Sequence, residues 1–126
     1  MRPAAPVTPD GGGAGWSWYA AEQRMGSTFI VTSAAGSNRD HAKGTRDQRY
    51  WDEHAAFIDQ LVEEGFVMLG GPLPNEGGAV LIVRAASEAE VRERLRRDPW
   101  YVHEILAPQS VRQWDIFIDR WAGTER

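Results

Sequence analysis

Two side chains in this 126-residue chain have the types and setting for moving a proton: His54 and Asp98. An imidazole changes charge near neutral pH, and a carboxylate that holds it fixes its orientation and raises its basicity. His54 lies in "WDEHAAFIDQL". On a helical wheel of about 100° per residue, Phe57, Ile58 and Leu61 share one narrow arc, with Tyr50, Trp51 and Val62 beside it. His54 falls at the centre of that arc, so its imidazole faces the core while Asp52 and Glu53 point elsewhere. Asp98 lies in "RLRRDPW", three residues after Leu95 and on the face marked by Val91 and Leu95. A carboxylate at the carboxyl end of a helix opposes the helix dipole. Pro99 forces Asp98 out of the helical region and stops the helix there. Each residue has a bland account, a core histidine satisfied by a carbonyl and a helix-stopping Asp-Pro. The Asp-Pro account explains the turn but not why the acid faces inward.

The elements that must position them can be read from the apolar patterning. "STFIVTSA" is a β-branched strand between Gly26 and Gly36. A polar loop, "AGSNRDHAKGTR", follows, and its length is that of lids or binding loops. "DQRYWDEHAAFIDQLVEEG" is an amphipathic helix closed by Gly65. "FVMLGG" and "GAVLIVRA" are two further strands, with "PLPNEG" turning between them. Ser87 and Glu90 form a capping box that opens a second helix ending near Arg97. A short helical turn after Trp100 leads to a last strand, "SVRQWDIFID". The order β-α-β-β-α-β predicts an α+β, ferredoxin-like subunit with an antiparallel sheet. If the first strand runs up, the first helix runs down and the second up. The start of one helix and the end of the other then meet at the top, His54 beside Asp98.

Other residues gather at the same end. Gly70, Gly71 and Pro72 close the second strand, either as a plain turn or as bare backbone that a ligand can approach. Trp51, Trp100 and Trp114 could wall a pocket for a flat or apolar substrate. Arg39, Lys43, Arg46 and Arg49 lie on or just after the long loop and could meet an anionic one. His41 and His103 have no partner at metal-ligand spacing, so no metal and no cofactor are expected. The two central apolar strands want cover on both faces. Two helices supply one face, and the economical cover for the other is a second copy packed sheet to sheet in a homodimer. The alternative cover is the N-terminal arm.

Bulk composition sets the outer limits. A net charge of −4 with acids among the bases argues against nucleic acid as a partner. No cysteine is present, which excludes disulfides and thiolate chemistry. No apolar run reaches the roughly 20 residues of a membrane span, and no secretory signal is apparent, so a cytoplasmic location is expected. Residues 1–26, rich in Pro, Ala and Gly up to Gly15, read as a disordered or loosely docked extension that carries Trp16, Trp18 and Tyr19. Met25 could equally be a start. The folded domain is expected over residues 27–121, with a tail at 122–126.

"HAAFIDQLVEEGFVMLGGPL", then "SEAEVRERLRRDPW", then "VRQW" in the last strand, resembles the YCII-related family, and the likeness covers Ser27 to Trp121. The resemblance implies a dimeric α/β barrel of ferredoxin-like subunits, similar to muconolactone isomerases. It also implies a His-Asp active site carried here by His54 and Asp98. One relative type is a dehydrochlorinase of chlorinated hydroxyquinol-like rings, which implies isomerase or lyase chemistry. The tryptophan-bearing extension and the long basic loop depart from the family. The reading expected to hold is a cofactor-independent enzyme moving a proton on a small cyclic, oxygenated and anionic substrate. The alternatives are a non-catalytic ligand-binding dimer and a cofactor-free monooxygenase of the same barrel type.

Overall fold

The computed structural model describes residues 26–121 and 123–124; all but the last residue of the expected extension and most of the expected tail lie outside that range. In chain order the main elements are β1 (Ser27–Ala35), α1 (Trp51–Glu63), β2 (Val67–Pro72) and β3 (Ala79–Ala85). Then come α2 (Glu88–Leu95), a single helical turn α3 (Pro99–Val102), and β4 (Leu106–Gln113). A small hairpin, β5 (Ile118–Asp119) and β6 (Gly123–Thr124), follows. The four main strands form one sheet in the order β2-β3-β1-β4, each neighbouring pair antiparallel. That is the ferredoxin-like βαββαβ arrangement.

Side-chain alternation along the strands decides where the core sits. Phe29 and Val31 of β1 pair with Val83 and Leu81 of β3, and all four join the core with Leu61 of α1 and Val91 and Leu95 of α2. Val83 and Val91 have no exposed surface, and burying each contributes on the order of 1.5–3 kcal/mol. The opposite face of the sheet presents Ile30, Val80 and Ile82, half-buried, with Leu69 on β2 60% exposed beside Ile82.

Local chemistry explains most of the boundaries. Gly65 follows α1 with φ +79, the left-handed conformation that a glycine adopts freely, and so ends the helix as expected. Ser87 caps α2 by accepting from the Glu90 backbone N–H at 3.1 Å, while Glu90 accepts from Ala86 N–H at 2.7 Å. Gly70 sits within β2, where a Cβ would meet Leu81 Cδ2 at 2.4 Å, so Leu81 occupies the space a side chain would fill. Pro72 is tolerated because β2 is an edge strand with no ladder bond to lose on its outer side.

Two boundaries differ from the sequence reading. The first helix starts at Trp51, not Asp47, because Thr45–Asp47 is a 3-10 turn and Tyr50 is left-handed at φ 64. The last strand runs Leu106–Gln113, not Ser110–Asp119. Pro108 lies within it without harm, because β4 is the other edge of the sheet and the register shifts between Thr32 and Ser33, beside Pro108. The aromatic run after it, from Trp114 to Trp121, is left largely exposed.

The long loop between β1 and α1 is built, not loose. Gln48, only 4% exposed, donates from Nε2 to the carbonyls of Asp40 at 2.8 Å and Lys43 at 3.0 Å, and accepts from Asp40 N–H at 2.9 Å. Asn38 and Gly36 tie the other limb to the backbone of residues 103–105. These bonds make the loop a fixed wall at one end of the sheet.

Candidate active site

The site is assembled by the turn between α2 and β4. The chain leaves α2 at Leu95, and Pro99 at the first position starts a new helical turn. Asp98 is therefore the N-cap of α3, accepting from Trp100 N–H at 2.9 Å through Oδ1. The sequence reading placed this carboxylate at an unfavourable helix carboxyl end. It stands instead at the amino end of the next helix, where a carboxylate is favoured.

Both carboxylate oxygens of Asp98 also lie 2.9 Å from Nδ1 of His54. An ionised carboxylate can only accept, so Nδ1 carries a proton and donates; in the neutral form of the ring the lone pair then lies on Nε2. Nε2 has no hydrogen-bond partner among the described residues. The His54 side chain is 14% exposed and that of Asp98 4%, so the imidazole is open to a ligand while the acid behind it is sealed.

Three rings and one strained residue hold the pair. The Trp100 indole stacks on His54 with centroids 3.8 Å apart and planes 6° off parallel. Trp51 lies tilted at 5.8 Å from His54 and 5.7 Å from Trp100. Trp100 Nε1 donates to the Arg49 carbonyl at 2.7 Å, which fixes the chain just before Tyr50. Tyr50, in its left-handed conformation, stacks on His103 at 3.8 Å, and its carbonyl accepts from His54 N–H at 2.9 Å. Strain of on the order of 1–3 kcal/mol at such a residue persists only where its surroundings hold it. Here it sets where α1 begins, and so the direction in which His54 points.

A cavity of about 490 Å³ opens in front of the imidazole, within the range of small-molecule sites. Trp51, His54, Asp98 and Trp100 line it from the helices, and Gly70, Gly71 and Pro72 from the edge strand. At Gly71 a Cβ would meet nothing within 4 Å, so bare backbone faces open space. Trp114 is not among the lining residues; it follows β4 with 40% of its surface exposed. Its backbone N–H donates to Thr28, beyond the strand end that the sequence reading carried past it. His103 is taken up by the stack on Tyr50. Among the described residues no three His, Asp or Glu side chains gather in a metal-holding group.

A family model for the YCII-related domain matches residues 28–115, well over half of the chain. The chain belongs to the YCII-related family. Neither a curated protein nor a solved structure matches it. No helix among the described residues is long and apolar enough to cross a membrane.

This YCII-related chain carries site residues that sequence reasoning passed over. Ser33 and Tyr101 share a hydroxyl–hydroxyl hydrogen bond, and both line the cavity. Burial pushes the Tyr101 phenol above its ordinary value, so it remains a neutral hydroxyl at physiological pH. Alternation offered a signal for Ser33, which shares the inward register of Phe29 and Val31. Gln48 offered none, being one polar residue in a polar segment. Arg39 lines the cavity, while Lys43, Arg46 and Arg49 do not.

Proposed function

We propose that this protein is a small cofactor-independent enzyme of isomerase or lyase type, acting on a small cyclic, oxygenated substrate. The observation that carries the reading is the His54–Asp98 pair, with Nδ1 bonded to a sealed carboxylate and Nε2 beside the cavity without a partner among the described residues. In this mechanism Nε2 removes a proton from carbon α to a carbonyl, and Asp98 stabilises the resulting imidazolium. The imidazolium then returns the proton elsewhere on the conjugated system, giving isomerisation. Alternatively a β-leaving group departs with the electron pair, giving elimination. Of the hydroxyls of Ser33 and Tyr101 one donates to the other, which leaves one neutral O–H on the cavity wall suited to an enolate oxygen. Trp51 and Trp100 offer flat apolar surface for a ring.

The test needs no known product. Enolisable cyclic ketones, lactones and hydroxyquinol-type rings are incubated with the protein in D2O, and loss of the α-proton signal is followed by NMR. The expected result is protein-dependent exchange or elimination on at least one ring type. Rings that bind without any exchange would leave a binding protein in place of an enzyme.

We also propose a homodimer through the open sheet face, supported by Ile30, Val80, Ile82 and exposed Leu69 on that face. Phe117, Ile118 and Trp121 beyond β4 are further exposed apolar side chains, a kind of surface that association commonly covers. Sedimentation velocity is expected to give twice the chain mass, and Ile82→Glu to give a monomer with unchanged circular dichroism. A wild-type chain that sediments as a monomer overturns the dimer.

A further inference from the structure

We propose that Arg39 is the anion-binding residue of the cavity and that its ligand is a small organic carboxylate. The proposal refines the substrate class of the proton-transfer reading and rests on the same cavity.

The contrast among the arginines comes first. The run Arg92 to Arg97 looks strongly basic, yet its charges are used: Arg92 pairs with Glu88, Arg94 with Glu64, and Arg96 and Arg97 with Glu93. Glu93 is held down to about 2 by its bonds to those two arginines. Arg39 is different. Its guanidinium has no hydrogen bond and no ion pair among the described residues, although it is half-buried and lines the cavity that His54 lines. Its neighbour Asp40 is engaged with Ala42 N–H at 3.0 Å and with Lys43. The other acids on the cavity wall are Asp98, committed to His54 and Trp100, and Asp59 on the exposed side of α1.

Local structure holds this cation in place. The Arg39 side chain lies against Gly77 in the turn between β2 and β3, where a Cβ would stand 2.8 Å from Cδ and 2.9 Å from Nε. Gly77 has φ +77, so the turn geometry and the room for Arg39 come from one glycine. The backbone on either side of Arg39 is fixed by Asn38 to residues 103–104 and by Gln48 to Asp40. The charge is thus pre-organised before any ligand arrives, which lowers the entropic cost of binding. Leu81, Val67 and Leu106 give the cavity apolar wall, which lowers the effective dielectric within it. A guanidinium presents paired N–H donors that match the two oxygens of a carboxylate. Arg39 and His54 on one wall-to-wall space would hold a ring acid by its carboxylate with its carbon skeleton presented to the imidazole.

The test uses 4-fluorobenzoate and its neutral counterpart 4-fluorobenzamide as probes, followed by 19F NMR line broadening with the full chain. The expected result is saturable binding of the benzoate, weaker binding of the benzamide, and a rise of about 10- to 100-fold in the benzoate Kd for Arg39→Gln. Arg39→Lys is expected to recover part of the affinity, since it restores the charge without the fork. Circular dichroism of each variant should match the wild type. Three results overturn the proposal: no saturable benzoate binding, equal binding of both probes, or a benzoate Kd unchanged in Arg39→Gln. Arg39-dependent binding with no proton exchange on any ring removes the proton-transfer reading and leaves this one. Exchange on neutral ketones with no carboxylate binding does the reverse.

Discussion

Replacing His54 by Gln is expected to lower the rate of α-proton exchange by about 10²- to 10⁴-fold, the usual contribution of a positioned general base. Gln is the informative substitution because of what stands behind His54. Asp98 is a buried carboxylate that accepts a hydrogen bond from Nδ1 at 2.9 Å, and Ala would leave part of its bonding unmet. An unmet buried acceptor costs about 1–3 kcal/mol, so a loss of activity in His54→Ala would mix chemistry with unfolding. Gln can still donate an amide N–H toward Asp98, yet it carries no nitrogen that accepts a proton near neutral pH. Thermal unfolding by circular dichroism should therefore move little while exchange collapses. An exchange rate within about threefold of wild type would remove His54 as the base, whatever the fold does.

Asp98→Asn is expected to separate two jobs that one carboxylate performs. As N-cap of α3, Asp98 accepts from Trp100 N–H, and Asn caps nearly as well as Asp. Stability should thus stay close to wild type, whereas Asp98→Ala should lose about 0.5–2 kcal/mol from the missing cap alone. The second job is to hold the proton on Nδ1. An amide can offer its NH2 group to Nδ1, and the ring then places its own proton on Nε2, where a base needs a lone pair. Exchange should fall by about two to four orders of magnitude in Asn although the helix cap survives. The imidazole 15N shifts of His54 report the tautomer directly. A wild-type tautomer and wild-type exchange in Asp98→Asn would return the acid to a purely structural role. Loss of exchange in both variants, with loss of stability in Ala alone, is the pattern expected of a residue that both caps and positions.

How far the sequence reached can be judged from single residues. The Phe57, Ile58 and Leu61 stripe with His54 at its centre, and the Leu95–Asp98 spacing, follow from helical periodicity, which is local and survives any tertiary detail. The βαββαβ order then brings the amino end of one helix to the carboxyl end of the other, so the neighbourhood of His54 and Asp98 was legible as topology. Less legible was everything that depends on which strand lies at an edge. The last strand begins before Ser110 and takes in Pro108, which is harmless there because the sheet order leaves β4 outermost. Gly70 and Gly71 looked like a turn or a ligand approach. In the folded chain Gly70 is strand backbone that makes room for Leu81, and Gly71 faces open space. Trp114 looked equivalent to Trp51 and Trp100, yet it lies beyond the end of β4, away from the cavity lining.

The sequence by itself determined the elements, their order, and the pair of residues able to share a proton, because each follows from local periodicity, capping and chain direction. The tertiary structure alone decided the chemistry of Asp98. A second helical turn begins at Pro99, which converts an acid at the wrong end of one helix into the cap of the next and aims both its oxygens at Nδ1 of His54. It also left the Arg39 guanidinium without an acid among the described residues. Gln48 and Gly77 fix the loop and the turn around Arg39, whereas most of the other arginines near the helices meet an acid or an aromatic ring. The bond from Asp98 to His54 and the contact of Arg39 with Gly77 join segments far apart in the chain, and no window of neighbouring residues contains them.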